Sequence, residues 1–347
     1  DMVLDIPSFD IPATGVVDYQ RPYILNPLEE GAWLKASTIK VSQRQGVHHI
    51  LTGHMKEVPA NGVASEVRWG NSVGGYAVGA ESTVEPANVG TYVPPGGAIG
   101  FQVHYTPFGK AVTDASQIGL YFYKDGELPE LMMREAVIVD NTIKLPPQDG
   151  AHKEIAYVDF PKEALLYAAF PHAHYRAAYS DLTLRYPDGQ EKLLLRLPKY
   201  DFNWQRYYSF AEPVKIPAGS KLIATYVYDN SPRNPANPDP AKEIVWGDQS
   251  FEEMFYTRLR YRWTDETAAD QKNHEQLVMK TRMLGMMDDD VDGKIQPTEL
   301  RGQLAAFAAH FPKADTNKDG GLDNDELQAA LAAIRAMRNK PAASGGQ

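Results

Sequence analysis

Most of residues 1–265 is a succession of short runs rich in β-branched and aromatic residues, each closed by a cluster of Gly, Pro or Asp. Such runs fall at 37–43, 99–106, 118–123, 136–139, 155–160, 182–186, 222–228 and 254–263. These side chains suit a pleated, half-buried surface, and frequent turn punctuation between short strands specifies stacked sheets, as in sandwiches and barrels. A polar break with two prolines, LPPQDGAHK at 145–153, divides the region into two pieces of domain size. The expected fold is therefore mainly β, with two antiparallel β-sandwich (jelly-roll-like) domains at 1–147 and 148–265.

The pattern changes after Trp263. Residues 266–287 carry Glu, Gln, Lys, Leu and Met without proline, which predicts a helix. Residues 297–311 are rich in Ala and Leu, with Pro297 placed at a helix start. The small polar tail at 339–347 reads as disordered. A third, α-helical unit is thus expected at 266–338.

Two acidic loops lie in that unit, DDDVDGKIQPTE at 288–299 and DTNKDGGLDNDE at 315–326. A hard divalent cation such as Ca²⁺ needs six to eight oxygens. A twelve-residue loop supplies them from side chains at positions 1, 3 and 5, a backbone carbonyl at 7 and a bidentate Glu at 12. In the first loop these are Asp288, Asp290, Asp292, Lys294 (through its carbonyl) and Glu299. In the second they are Asp315, Asn317, Asp319, Gly321 (carbonyl) and Glu326. Gly293 and Gly320 stand at position 6, where the chain turns sharply, and Ile295 and Leu322 supply the apolar residue at 8. Both loops are complete EF-hand loops, and two calcium sites are expected. Only residues 300–314 separate them, enough for one shared helix, which favours a structural role over the opening motion of a sensor.

Composition excludes some classes. The chain has no cysteine, so neither disulfides nor thiolate metal sites are available. Its formal charge is −10 and no basic stripe is present, which argues against a nucleic-acid partner. Much of that acidity is local: residues 286–326 hold ten acidic and four basic side chains, a net of −6. No apolar run reaches the roughly 20 residues that span a bilayer.

Histidines cluster at a few β positions. His172 and His174 sit in the apolar run LLYAAFPHAHY, and residues two apart on a strand share a face. His104 lies in FQVHYTP, and His48 and His49 in VHHIL. Adjacent strand residues point to opposite faces, so joint ligation by His48 and His49 requires a bulge or a twisted end. Singly, each is more often a packed or surface histidine than a ligand. His54, His152, His274 and His310 are read that way.

In order, the chain presents His48-His49, then Gln102-Val103-His104-Tyr105, then His172-Ala173-His174, then Glu252-Glu253-Met254. With the opening DIPSFDIPATGVVDY at 5–19, this resembles the copper type II ascorbate-dependent monooxygenases, the family of the peptidylglycine α-hydroxylating and dopamine β-monooxygenases. The stretches YDFNWQ at 200–205 and DNSPRNPANPDP at 229–240 resemble its bacterial branch. The resemblance implies an electron-transfer copper on His48, His49 and His104, and a catalytic copper on His172, His174 and Met254. It implies an enzyme that hydroxylates a C–H bond of a small organic substrate with O₂. Two electrons would come from ascorbate or another external reductant or redox partner, through two separate coppers, with Gln102 on the path between them. It also implies a periplasmic or secreted location.

The peptide-amidating members carry Arg, Asn and Tyr at the positions of Phe170, Tyr256 and Arg258, so the clamp for a peptide carboxylate is missing. Phe170, Tyr256 and Arg258 become candidate substrate contacts, with Arg258 as an anchor for an anion or a solvated edge residue. A non-catalytic copper-binding or copper-sensing protein with structural calcium sites is the alternative. A calcium-dependent binding module is a third reading.

Overall fold

The computed structural model describes residues 1–60, 70–124, 126–272 and 274–338. The expected disordered tail at 339–347 lies outside the described residues. The chain is mainly β, with several antiparallel sheets and a small C-terminal helical region. All eight strands read from the sequence are present, and strands at Val47–Met55, Glu191–Leu197 and Tyr208–Ile216 join them.

The first sandwich pairs two sheets. One runs through Met2–Asp5, Gln117–Phe122, Ala32–Lys40, Val89–Val93 and Leu131–Met132, with Ser82–Val84 also on Ala32–Lys40. The other runs through Tyr23–Leu25, Ala98–Tyr105, Val47–Met55 and Gly75–Ala77. Ile39, Ile118 and Leu120 from one sheet meet Ile50, Phe101 and Val103 from the other in one core.

The second sandwich faces Arg134–Asp140, Phe255–Trp263, Ala164–His172 and Tyr208–Ile216 against His152–Phe160, Ser220–Tyr228, Ala177–Arg185 and Glu191–Leu197. Its core joins Ile138, Leu166, Leu259 and Trp263 with Phe160, Leu182, Leu222 and Tyr226. Alternation along Phe255–Trp263 is strict: Phe255, Thr257, Leu259, Tyr261 and Trp263 are buried, and the residues between them are half-buried on the opposite face. Period-two patterning thus turns Tyr256, Arg258 and Arg260 away from the core.

The expected division at 147 does not match the strand pairing. Arg134–Asp140 pairs along its whole length with Phe255–Trp263, and Ala136 and Ile138 lie in the second core. The chain passes between sandwiches just before residue 134. The break at 145–153 is instead a connection within the second sandwich, where Lys144–Leu145 pairs with Ile244–Val245.

The helix read at 266–287 begins later, at Glu275–Met287. Residues 266–272 are held out of it by tertiary contacts. The Glu266 carboxylate binds the Arg134 guanidinium and accepts the Lys272 N–H at 2.7 Å, and Ala268 packs with Trp33 and Met132. Over 297–311 the chain is helical but broken. Pro297–Glu299 and Gly302–His310 are 3₁₀ turns, followed by the α-turn Phe311–Ala314. Arg301 is extended between them because its side chain is drawn to Asp140 at 3.0 Å and to the Thr142 hydroxyl at 2.8 Å.

The helix Glu275–Met287 lies on the strand His152–Phe160 so closely that a Cβ at Gly285 would collide with the Tyr157 carbonyl. Gly285→Ala therefore lifts the helix off the sandwich. Urea unfolding is expected to show a loss of about 1–3 kcal/mol, where an ordinary helical Gly→Ala change would add stability.

Candidate metal centres and the cleft between the sandwiches

The bulge that two adjacent histidines require is present. The pairing of Val47–Met55 with Ala98–Tyr105 slips between Val47 and His49, which frees His48 to turn toward its neighbour. His48, His49 and His104 each offer a ring nitrogen within 4.8 Å of the others. His49 and His104 are direct cross-strand partners. Tyr19 stacks on His104 with ring centroids 4.6 Å apart, a contact the sequence reading did not single out.

His172 ends the strand Ala164–His172, and His174 follows it beyond the strand. Their rings are 5.2 Å apart, edge to face. Met254 is buried at the start of Phe255–Trp263 and lines the same cleft as His172 and His49. The two sets, one in each sandwich, are contiguous. The His49 and His172 rings are 6.1 Å apart across the junction of the sandwiches. Phe202 sits between the sets, stacked on His48 at 4.8 Å and edge-on to His174 at 5.9 Å.

Burial and the neighbouring imidazoles hold these rings neutral. His104 and His172 are lowered to about 4, chiefly by desolvation, and His49 and His174 are also held well below the usual histidine range. Neutral imidazole is the form that ligates a metal. Both ring nitrogens of His174 and Nδ1 of His104 are buried with no hydrogen bond of good geometry, the Glu252 backbone standing near the His174 ring without closing one. Unpartnered buried nitrogens are costly, and they are rare in native structures unless something else occupies the lone pair.

Behind this cluster lies Glu253, fully buried. Its carboxylate accepts the backbone N–H groups of His174, Arg176 (2.9 Å) and Met254 (3.0 Å), and so ties the two chain segments of the second set together. Burial pushes Glu253 up to about 7, opposed by those three N–H groups and the Arg176 guanidinium. Arg176 is itself fully buried, bonded to Asn230 and the Phe251 carbonyl. Glu253→Ala strands three donors and removes the carboxylate whose charge most supports the buried Arg176. The expected cost is about 3–5 kcal/mol, read as a lower urea midpoint with an unchanged slope.

The cleft encloses about 630 Å³ between the sandwiches. Gln102, Phe170, Tyr256 and Arg258, all named from the sequence, line it. Arg258 is neither a solvated edge residue nor a lone anion anchor. It is half-buried, its Nε donates to the Tyr256 hydroxyl at 3.1 Å, and Glu135 stands 3.8 Å away. Arg260 beside it binds Glu85 of the first sandwich at 2.5 Å. Tyr207 packs on Phe170 at 5.1 Å, whereas Trp204 is exposed. His54 is a packing residue, buried with Nε2 3.0 Å from the Gly96 carbonyl; His152 bonds Asp149 and Glu154, and His274 bonds Asp265.

The acidic loops share one backbone. Val291 and Lys318, both at position 4, have φ near +60°, and the position-6 glycines lie at +91°. The loops are joined by reciprocal hydrogen bonds of 2.9 Å between Ile295 and Leu322. Asp288, Asp290 and Asp292 bring carboxylate oxygens within 4.8 Å of one another. The Lys294 side chain, free because only its carbonyl is needed at position 7, binds Asp319 of the other loop at 2.7 Å.

A family model described as EF hand matches residues 308–332, which include the second loop. No curated protein matches the chain. Among solved structures, the N-terminal CBM22-1–CBM22-2 tandem domain of Paenibacillus barcinonensis Xyn10C is 10% identical over 68% of this chain and 79% of that one, with a TM-score of 0.19. The infectious bursal disease virus Gx strain structure is 10% identical over 77% of this chain and 78% of that one, with a TM-score of 0.21. At these scores neither likeness carries an argument. Among the described residues no helix is long and apolar enough to cross a membrane.

Proposed function

We propose that the chain is a copper-dependent monooxygenase that hydroxylates a C–H bond of a small organic substrate, with calcium held at both EF-hand loops. One observation carries the copper reading: two imidazole sets meet ring to ring beside a cleft, and buried ring nitrogens of His104 and His174 make no hydrogen bond of good geometry. Three imidazoles on one side, and two imidazoles with the Met254 thioether on the other, suit copper in both oxidation states. The soft thioether favours Cu(I). No carboxylate or thiolate among these residues points to iron or structural zinc.

Copper, when bound, supplies one-electron chemistry with O₂ that no side chain here can perform. The chain's own residues do the rest. The bulge at His48 and the ends of two strands orient the imidazoles. Glu253 fixes the backbone on both sides of the second set. Phe170, Tyr207 and Tyr256 give the cleft aromatic walls, and the Arg258–Glu135 and Arg260–Glu85 pairs balance charge at its floor. A small organic molecule packed on those rings fits better than a peptide carboxylate. An exported location goes with the same family resemblance.

Copper analysis together with oxygen uptake in ascorbate tests the reading. Two coppers per chain and ascorbate-dependent uptake are expected. Fewer than two coppers overturns it. Two coppers without uptake, across a panel of aromatic and aliphatic substrates, leaves a copper-binding or copper-sensing protein.

A further inference from the structure

The segment YDFNWQ at 200–205 touches both histidine sets. The Tyr200 hydroxyl bonds the backbone of Ala173, between His172 and His174, accepting from its N–H at 2.8 Å and donating to its carbonyl at 3.2 Å. Phe202 stacks on His48 of the first sandwich with an interplanar angle of 13°. Gln205 is buried, with Oε1 2.7 Å from Nδ1 of His172. Its Nε2 donates to the Phe202 carbonyl at 2.9 Å.

That last bond decides the chemistry. A carbonyl can only accept, so the NH₂ of Gln205 must face Phe202 and its oxygen must face His172. Oxygen can only accept there too, so Nδ1 of His172 carries the proton and Nε2 is bare. The nitrogen of an imidazole that is free for a metal is set by the hydrogen bond its other nitrogen makes.

We infer that residues 200–205 form the positioning element of the two histidine sets, in which Gln205 holds His172 in the tautomer that turns a bare Nε2 to the metal while Phe202 sets the place of His48. The role assigned to Nε2 rests on the copper reading; the tautomer does not.

The first experiment uses the copper-free protein. Long-range ¹H–¹⁵N correlation at neutral pH is expected to show His172 protonated on Nδ1. In Gln205→Leu it becomes a mixture of tautomers. Gln205→Glu, which keeps an acceptor oxygen, restores the Nδ1–H form. Protonation on Nε2 in the unaltered protein, or no change in Gln205→Leu, overturns the inference.

The second experiment titrates Cu(I). Gln205→Leu is expected to weaken the site that contains Met254 by about 10–100-fold and to leave the His48–His49–His104 site unchanged. Phe202→Ala is expected to do the reverse. Equal loss at both sites in both variants, with lowered thermal midpoints, marks a purely structural segment and overturns the inference. A protein that binds no copper in any form, yet shows the expected tautomers, sinks the functional reading and leaves the Gln205–His172 assignment standing.

Discussion

On the proposed copper reading, Met254→Ile is expected nearly to abolish ascorbate-driven oxygen uptake while the protein keeps its fold and one copper. The backbone of Met254 is held by bonds that do not involve its side chain. Its N–H donates to Glu253 at 3.0 Å, and its carbonyl accepts from the Tyr228 hydroxyl at 2.8 Å. Isoleucine is apolar and of similar volume, so the packing cost stays below about 1.5 kcal/mol. What is lost is the only soft donor of the second set. Altering groups that merely support a ligand already costs about 10–100-fold, so losing the thioether itself is expected to lower uptake by more than about 100-fold. Sulfur scattering in the copper X-ray absorption spectrum is expected to disappear in step with activity, with copper at His48, His49 and His104 retained. Unchanged turnover in this variant would falsify the assignment of Met254.

Removing calcium is expected to unfold more than the EF-hand region. The first loop is docked on the second sandwich through one of its ligands, Asp288, and through residues beside the ligands. The Tyr157 hydroxyl donates to Asp288 at 2.7 Å, Arg185 donates to the Val291 carbonyl at 2.8 Å, and Arg301 bridges Asp289 to Asp140. Burial raises the Asp288 pKa from its ordinary value, so an uncompensated charge there opposes folding and a bound cation relieves it. Calcium at a hundredfold excess over its dissociation constant adds about 2.7 kcal/mol per site. For domains of this size 1 kcal/mol moves the midpoint by about 2–4 °C. Chelation should therefore lower the calorimetric midpoint of the sandwich itself by about 5–10 °C. Tyr157→Phe should shrink that shift and weaken the first site only. A sandwich transition that ignores chelation would show the loops to be an independent appendage.

The fold was largely legible because its signals are local. Alternating patterns and turn residues marked eight strands, and each calcium loop carries all its ligands within twelve residues. What escaped was tertiary. The run at 134–140 looks the same whichever sandwich it joins, and only its pairing with Phe255–Trp263 assigns it. The helix at 266 was delayed by Arg134, a partner more than a hundred residues away. In the candidate site the histidines and Met254 stood out as residue types. Glu253 and Gln205 did not, because their roles depend on which backbone N–H groups and which ring nitrogen they meet. The two histidine sets, far apart in sequence, gave no sign of lying 6.1 Å ring to ring.

The passage between the sandwiches has a mechanical consequence. Leu131–Met132 is paired in the first, Arg134–Asp140 in the second, and only Met133 separates them. Met133 is 1% exposed, and its N–H donates to the Gly90 carbonyl at 2.8 Å. There is no slack tether here. A hinge that swung the sandwiches apart would have to take up its whole rotation at one buried, hydrogen-bonded residue, while breaking the Arg260–Glu85 pair. Entry to and exit from the cleft are left to the loops at its rim, and the spacing of the two histidine sets stays fixed.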